Sequence, residues 1–282
     1  MAEENLSHMK YSVLMSVYAK DNPEYLRLSI ESMLNQTVAP EQIVLVQDGP
    51  VPENLEEIIN HYGSQKDLFT ICRLKKNGGL GNALNVGLQH CRNELVARMD
   101  ADDISLPTRC EKELECFQRD IELDICGCNI DEFYRTPDNI KTSRVVPSTH
   151  NEIKKFMRKR QAFNHPTVIY KKTKVLEAGG YEALKRKEDF DLFSKMLVNG
   201  CCAKNIDESL YLYRANEENY GRRKSRDNLK SAIYVYWRHL KRKGCSVLDF
   251  VIICGAEIIF FIVPYSVMKW LSDRFLRSKV MK

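Results

Sequence analysis

The chain predicts an α/β fold, a mostly parallel sheet with helices on both faces. Short apolar runs alternate with segments of helical period through residues 10–107. Several of those runs stop abruptly at polar or acidic residues, as strands do where an open sheet meets its ligand. Strand–helix alternation of this kind gives parallel strands whose crossover helices cover both faces.

In order, Tyr11–Val17 is a buried-strand candidate, followed by a loop over Tyr18–Pro23. A helix is predicted from Glu24 to Asn35, with Leu26, Ile30, Met33 and Leu34 on the helical period. Gln42–Gln47 is a second strand ending in Asp48-Gly49-Pro50, then a helix runs from about Pro52 to Tyr62. Leu68–Leu74 is a third strand and Gly79–His90 a helix. The apolar run Leu95, Val96, Ala97, Met99 is a fourth strand, ending in Asp100, Asp102 and Asp103. Beyond Pro107 the order loosens: a helix to Gln118, a strand over Ile121–Asn129 and mixed structure to Val146. His165–Tyr170 reads as a strand, Gly179-Gly180 as a turn, Glu188–Val198 as a helix and Ser209–Arg214 as a last strand. The segment Arg226–Lys243 is basic and helical.

Composition narrows the classes. With 282 residues, 44% hydrophobic and 29% charged, the chain is globular and large enough for one generous domain with an appendage. Net charge is a modest +5, concentrated between Arg222 and Ser246, where nine Lys and Arg face the single acid Asp227. Such a local surplus beside an apolar segment suits an anionic lipid surface, whereas a nucleic-acid binder shows a wider basic footprint. The ten cysteines show neither a disulfide framework nor paired zinc spacings, which suits reduced thiols. The polar, acidic start Met1–His8 has no signal-peptide core.

The chemistry-bearing residues gather at predicted strand and helix ends. Carboxylates as close as Asp100, Asp102 and Asp103 repel one another unless a positive charge sits among them, and Mg²⁺ or Mn²⁺, preferring hard oxygen ligands, is the usual answer. A turn before Pro107 is the plainer alternative. An Asp-Gly turn likewise accounts for Asp48 without a ligand. Asn77-Gly-Gly-Leu-Gly-Asn82 offers small residues for close backbone approach, but has neither the P-loop ending nor the dinucleotide spacing. Glu188 and Asp189 open a helix, where acids are favoured by the dipole anyway.

Five motifs fall in order: Ser16-Val-Tyr18, Val46-Gln-Asp-Gly49, Asn77–Gly87, Asp100-Ala-Asp-Asp103 and Glu188-Asp-Phe-Asp-Leu192. Together they resemble the family 2 glycosyltransferases of the GT-A fold, nearest to bacterial enzymes that build O-antigen and exopolysaccharide repeat units, over roughly residues 10–215. The resemblance implies a catalytic domain over 1–220, with a nucleotide-sugar half at about 10–107 and an acceptor half at about 108–220. It implies a uridine pocket of Ser16, Val17, Tyr18 and Asp48, with Gly79 and Asn82 next to the nucleotide. Asp102 becomes the metal ligand and Asp100 the ribose contact, with Asp100 and Asp103 as further metal candidates. Asp189 becomes the general base and Glu188 its acceptor-side companion, while Asp191 is assigned to structure. His165-Pro166 matches a recurrent family feature, and Arg214, Arg222 and Arg223 are candidates to meet a diphosphate or a lipid headgroup, with solvated side chains as the plainer alternative. The processive Gln-x-x-Arg-Trp pattern is missing downstream of Asp189, so one sugar per encounter is implied.

The remaining residues, 221–282, form a basic helical extension whose apolar part, 247–272, carries Asp249, Glu257 and Pro264 on one narrow face with Ser246. Basic flanks favour lying on a membrane over spanning it, although a core helix or a dimer contact is also compatible. The implied activity is inverting, metal-dependent, non-processive transfer of a hexose, glucose or galactose, from a UDP-sugar. The implied acceptor is a polyprenyl-diphosphate-linked saccharide at the cytoplasmic face of the membrane. A phosphatase with an Asp-x-Asp motif and a membrane-docked nucleotide-binding subunit are the alternatives. Sequence leaves oligomeric state open.

Overall fold

The computed structural model describes residues 9–215 and 225–263. Arg222, Arg223 and the part of the apolar segment from Pro264 onward lie outside the described residues.

Among the described residues, nine strands form one sheet in the order β3-β2-β1-β4-β8-β6-β9-β5, with β7 paired to β6. In the first half, β1 (Tyr11–Val17), β2 (Gln42–Gln47), β3 (Phe69–Arg73) and β4 (Leu95–Met99) are all parallel. They are linked by α1 (Pro23–Leu34), α2 (Glu53–Gly63) and α3 (Leu80–His90). Asn22 caps α1 by accepting from the N–H groups of Glu24 and Tyr25, and Pro23 sits in the first turn, where its missing N–H does no harm.

The second half mixes directions. After β5 (Ile104–Ser105) and α4 (Arg109–Arg119), β6 (Leu123–Phe133) pairs antiparallel with β7 (Ile140–Arg144) and with β8 (Ile169–Lys171). It pairs parallel with β9 (Cys202–Arg214). Between these strands lie α5 (His150–Met157), α6 (Lys172–Glu177) and α7 (Glu188–Val198). Two expectations are corrected here. The strand predicted over His165–Tyr170 begins as a 3-10 turn at His165–Thr167, because Pro166 offers no N–H to a ladder. The last strand starts at Cys202, seven residues earlier than predicted, because residues 204–208 hold four polar or charged residues around the single apolar Ile206 and look like a loop by composition.

Period-2 alternation along the parallel strands fills two cores. Val13, Met15 and Val17 face a layer containing Leu26 and Ile30 of α1, Ile59 of α2 and Leu114 of α4. Leu14, Val44 and Val96 face the opposite layer with Ala83, Leu84 and Leu88 of α3 and Phe190 and Phe193 of α7. Helices therefore cover both faces. All ten cysteines are free thiols.

The extension is a helical hairpin, α8 (Arg226–Lys241) and α9 (Val247–Ile262). It shares the second core through Val235, Tyr236 and Ile253, and the Phe190 ring packs on Tyr236 at 4.7 Å. Its acids are anchored to the rest of the protein. Asp249 pairs with Arg158 at 2.6 Å and Lys159 at 3.3 Å, and Glu257 pairs with Lys187 at 2.8 Å. The opposite faces expose Val247, Leu248, Val251, Ile252, Ile259 and Ile262. Among the described residues, no helix is long and apolar enough to cross a membrane.

Candidate active site

Register places the nucleotide-half candidates side by side. Val17 pairs with Gln47 and Met15 with Met99, so Ser16–Tyr18, Asp48 and Asp100 leave the sheet together at the carboxyl ends of β1, β2 and β4. Ser16 and Tyr18 are partly exposed, while Val17 and Asp48 are buried.

Asp48 organises the glycine loop. Its two carboxylate oxygens accept the N–H groups of Gly78 at 2.7 Å and Gly79 at 3.0 Å. Gly79 caps α3 at a φ of +85°, a conformation that disfavours side chains. At Gly81 a Cβ would lie 2.8 Å from the Glu182 carbonyl oxygen and 3.6 Å from the Glu188 Cβ. The absent side chain thus lets the start of α3, where Asn82 also sits, press against the start of α7. Asn85 completes the contact, donating to the Tyr181 carbonyl and accepting from the Tyr181 N–H, each at 2.8 Å.

The acidic turn contains a cation that sequence reasoning gave no role. Arg98 lies within β4, completely buried, and its guanidinium binds the Asp100 carboxylate and the Met99 carbonyl. A positive charge from within the chain therefore already meets part of the repulsion among the three carboxylates. The backbone of Asp100 is held by Ser29 Oγ, which donates to its carbonyl at 2.6 Å, and by Tyr211, whose hydroxyl accepts its N–H at 3.3 Å. Arg109, also fully buried, donates to the carbonyls of Arg98, Pro166 and Thr167, tying β4 to the His165 turn. A basic residue inside an otherwise apolar strand was the available signal for Arg98; nothing in the local pattern marks Arg109.

The three carboxylates differ in surroundings. Asp100 is partly exposed. Asp103 is fully buried with its Oδ1 on the Arg214 N–H at 2.7 Å, and burial, then Asp102 and Asp100, hold its pKa well above the usual carboxylate range. Asp103 thus serves to fasten the turn to β9. Arg214 is drawn to the same place. Its Nε donates to the Asp102 carbonyl at 2.7 Å, and its guanidinium lies 3.7 Å from the Tyr25 ring centre and 4.6 Å from that of Phe133. Asp100 and Asp102 are hard oxygen donors that suit Mg²⁺ or Mn²⁺ completed by substrate phosphates, the usual arrangement for a cation that keeps few protein ligands. No cluster of three or more candidate ligands occurs among the described residues.

The second acidic motif comes to the same site. Lys187 caps α7 in the left-handed region, at a φ of 65°, and turns the chain so that Glu188 and Asp189 open the helix. Asp189 accepts from Gln161 Nε2 at 2.8 Å. Burial, then the like charge of Asp189, pushes Glu188 up to about 7, with Asp100 adding to the effect. His165 Nε2 lies 2.9 Å from the Tyr181 hydroxyl, and burial followed by the charge of Arg98 takes its pKa down to about 4. It is a neutral imidazole that feels both Asp189 and Asp100. Asp191 is buried and paired with Lys195 at 3.2 Å and Arg242 at 2.8 Å, a structural role as expected.

This arrangement brings carboxylates at the strand ends near Glu188, whose proton affinity is raised, and its neighbour Asp189. The structure resembles a mannosyltransferase from Pyrobaculum calidifontis in complex with GDP-Man and Mn²⁺ (TM-score 0.63, 13% identity, 95% of this chain and 76% of that one). It also resembles residues 1–349 of S. aureus TarS in complex with UDP-GlcNAc (TM-score 0.61, 18% identity, 95% and 72%). By sequence, the chain is 34% identical over 95% of its length to an Escherichia coli UDP-Gal:alpha-D-GlcNAc-diphosphoundecaprenol beta-1,3-galactosyltransferase, covering 97% of that protein. It is likewise 34% identical, over 94% of its length and 98% of the relative's, to the amylovoran biosynthesis glycosyltransferase AmsE of Erwinia amylovora. Residues 12–183 match glycosyl transferase family 2, and the chain belongs to that family.

Proposed function

We propose that this enzyme transfers a hexose, glucose or galactose, from its UDP-linked donor to a saccharide on a polyprenyl diphosphate, one sugar per encounter and with inversion. The observation that carries the reading is the meeting of the glycine loop held by Asp48 with the second acidic motif: a Cβ at Gly81 would lie 3.6 Å from that of Glu188, although the two lie on separate halves of the chain. Similarity to a galactosyltransferase acting on a diphosphoundecaprenol-linked GlcNAc, and to an amylovoran biosynthesis enzyme, supports the donor, the acceptor class and a place in surface-polysaccharide assembly.

In this reading Ser16–Tyr18, Asp48 and the Gly79–Asn82 segment bind the nucleoside, and Asp100 the ribose. Asp102 with Asp100 would hold a divalent cation, which when bound offsets the negative charge growing on the leaving UDP. Asp189 takes the acceptor hydroxyl proton as the oxygen bonds to the anomeric carbon and the bond to UDP breaks. Gln161 orients Asp189 through its Nε2 hydrogen bond, and Glu188 lies next to it on the acceptor side. The neutral His165 keeps a second positive charge away from the base.

The hairpin is read as docking on the anionic, cytoplasmic face of a membrane. α9 exposes an apolar face, and α8 and the turn after it expose Tyr234, Trp237, Lys241 and Lys243, a mixture of apolar, aromatic and basic groups suited to an interface.

The test is product formation, by mass spectrometry, from UDP-glucose, UDP-galactose and their N-acetyl forms on a synthetic lipid-diphosphate N-acetylhexosamine, with and without Mn²⁺. A single-hexose product that disappears with chelator is expected. Tight UDP binding without product on any acceptor would replace the enzyme reading with that of a binding subunit, and full-rate transfer in chelator would remove the metal.

A further inference from the structure

Residues 182–187 join Tyr181 to the start of α7 and carry four charged side chains, Glu182, Lys185, Arg186 and Lys187. The loop is fastened at its start and along its length. Asn85 of α3 grips Tyr181 through both backbone groups. The Glu182 carbonyl oxygen lies 2.8 Å from where a Cβ would stand at Gly81, so only a glycine there leaves it room. Three of the charges are engaged by the hairpin: Glu182 pairs with Arg238 at 2.5 Å, Lys185 with Asp227 at 3.0 Å and Lys187 with Glu257 at 2.8 Å.

Arg186 is the exception. It is half-buried, yet makes no ion pair, hydrogen bond or ring contact among the described residues. Leaving it so is unfavourable twice over. Burial strips water from a guanidinium and returns no partner, and a cation one residue before the α7 cap faces the positive end of the helix dipole. Glu188, two residues on, feels the charge of Arg186 but forms no ion pair with it. The left-handed Lys187 stands between them.

The unmatched cation borders the site. Consecutive Cα atoms are about 3.8 Å apart, so the Arg186 Cα lies within about 8 Å of that of Glu188 and about 11 Å of that of Asp189. Glu188 in turn meets the glycine loop, its Cβ 3.6 Å from the Cβ position at Gly81, and Asp48 holds the Gly79 N–H of that loop.

We infer that Arg186 binds a diphosphate in the active site. A planar guanidinium with its donors unengaged suits a phosphate, which can accept two parallel N–H bonds from it. The three ion pairs fix the loop on either side, so Arg186 is presented with little further ordering on binding. The inference rests on the reaction proposed above, in which the UDP-linked donor and the lipid-linked acceptor each carry a diphosphate, and it supplies a cation for one of them.

The test compares wild type, Arg186→Gln and Arg186→Lys by titration calorimetry, with UDP and Mn²⁺ and then with farnesyl diphosphate at saturating UDP. In Arg186→Gln one of these affinities should fall about tenfold, the size of one charge-assisted hydrogen bond. Arg186→Lys keeps the charge and should recover part of the loss. A fall for UDP assigns the residue to the donor, and a fall for farnesyl diphosphate alone assigns it to the acceptor. Uridine, which lacks the phosphates, should bind all three proteins equally. Unchanged affinity for both diphosphates overturns the inference. So does a uridine affinity that falls in step, which would make Arg186 a prop of the loop. Binding is read here without catalysis, so an Arg186-dependent loss in a protein that makes no product would uphold the site and count against the proposed activity alone.

Discussion

The ion pair between Glu257 of α9 and Lys187 joins the hairpin to the residue that caps α7, the helix proposed to carry the base, and removing it should slow turnover. Lys187 holds a left-handed backbone that is unfavourable by about 1–2 kcal/mol for a residue with a side chain. Its ammonium is fixed by Glu257 at 2.8 Å, the two side chains being 28% and 17% exposed. Tyr236 lies beneath, with its ring centre 6.0 Å from Lys187 Nζ. A fully exposed pair contributes about 0–1 kcal/mol, whereas breaking a buried one costs about 3–5. This half-buried pair falls between, at about 1–2 kcal/mol, or roughly 5- to 30-fold if all of it is expressed in the transition state. Glu257→Gln should therefore lower kcat by about that factor while leaving the donor KM unchanged, measured with a soluble acceptor so that membrane docking plays no part. Lys187→Glu combined with Glu257→Lys should recover part of the loss. Unchanged kcat in Glu257→Gln, with melting also unchanged, would show that α7 is aimed without help from the hairpin.

Other outcomes follow from the same geometry. Glu188 is held near 7, above its ordinary value of 4.5, so the folded protein binds that proton more tightly than the unfolded chain. Stability of the free enzyme should therefore fall as pH rises from about 4.5 to about 7 through this group. In Glu188→Gln that slope should vanish in pH-dependent melts. Arg98→Met should destabilise by about 3 kcal/mol, since it removes a buried partner of Asp100, and should weaken UDP binding in titration calorimetry. Ile252→Asp with Ile259→Asp should abolish binding to anionic vesicles yet spare turnover on a soluble glycoside.

Much of the fold was legible because the first half obeys local rules: apolar runs of strand length, an Asn-Pro helix start and carboxylates where β4 ends. The second half was harder because its strands pair out of order and its shorter elements carry weak signals. α5 was missed although Thr149 and Glu152 form a capping box visible in the sequence. The two acidic motifs stood out by charge, but their meeting depends on Gly81 admitting α7 to α3, a contact no spacing reveals. Buried cations were the least legible part. Arg98 and Arg109 are read from a sequence as solvated, and only their complete burial shows that they brace the acidic turn. Asp249 and Glu257 looked like interruptions of an apolar segment; they are the hairpin's attachment points.

The account stands most directly on the turnover of Asp189→Asn with saturating UDP-hexose and acceptor, taken together with its UDP affinity by calorimetry. Retained UDP binding with transfer reduced by about 10²–10⁴, the usual contribution of a positioned base, is the predicted result. Transfer at the wild-type rate would contradict it, because the carboxylate brought to the strand ends would then have no part in moving the acceptor proton.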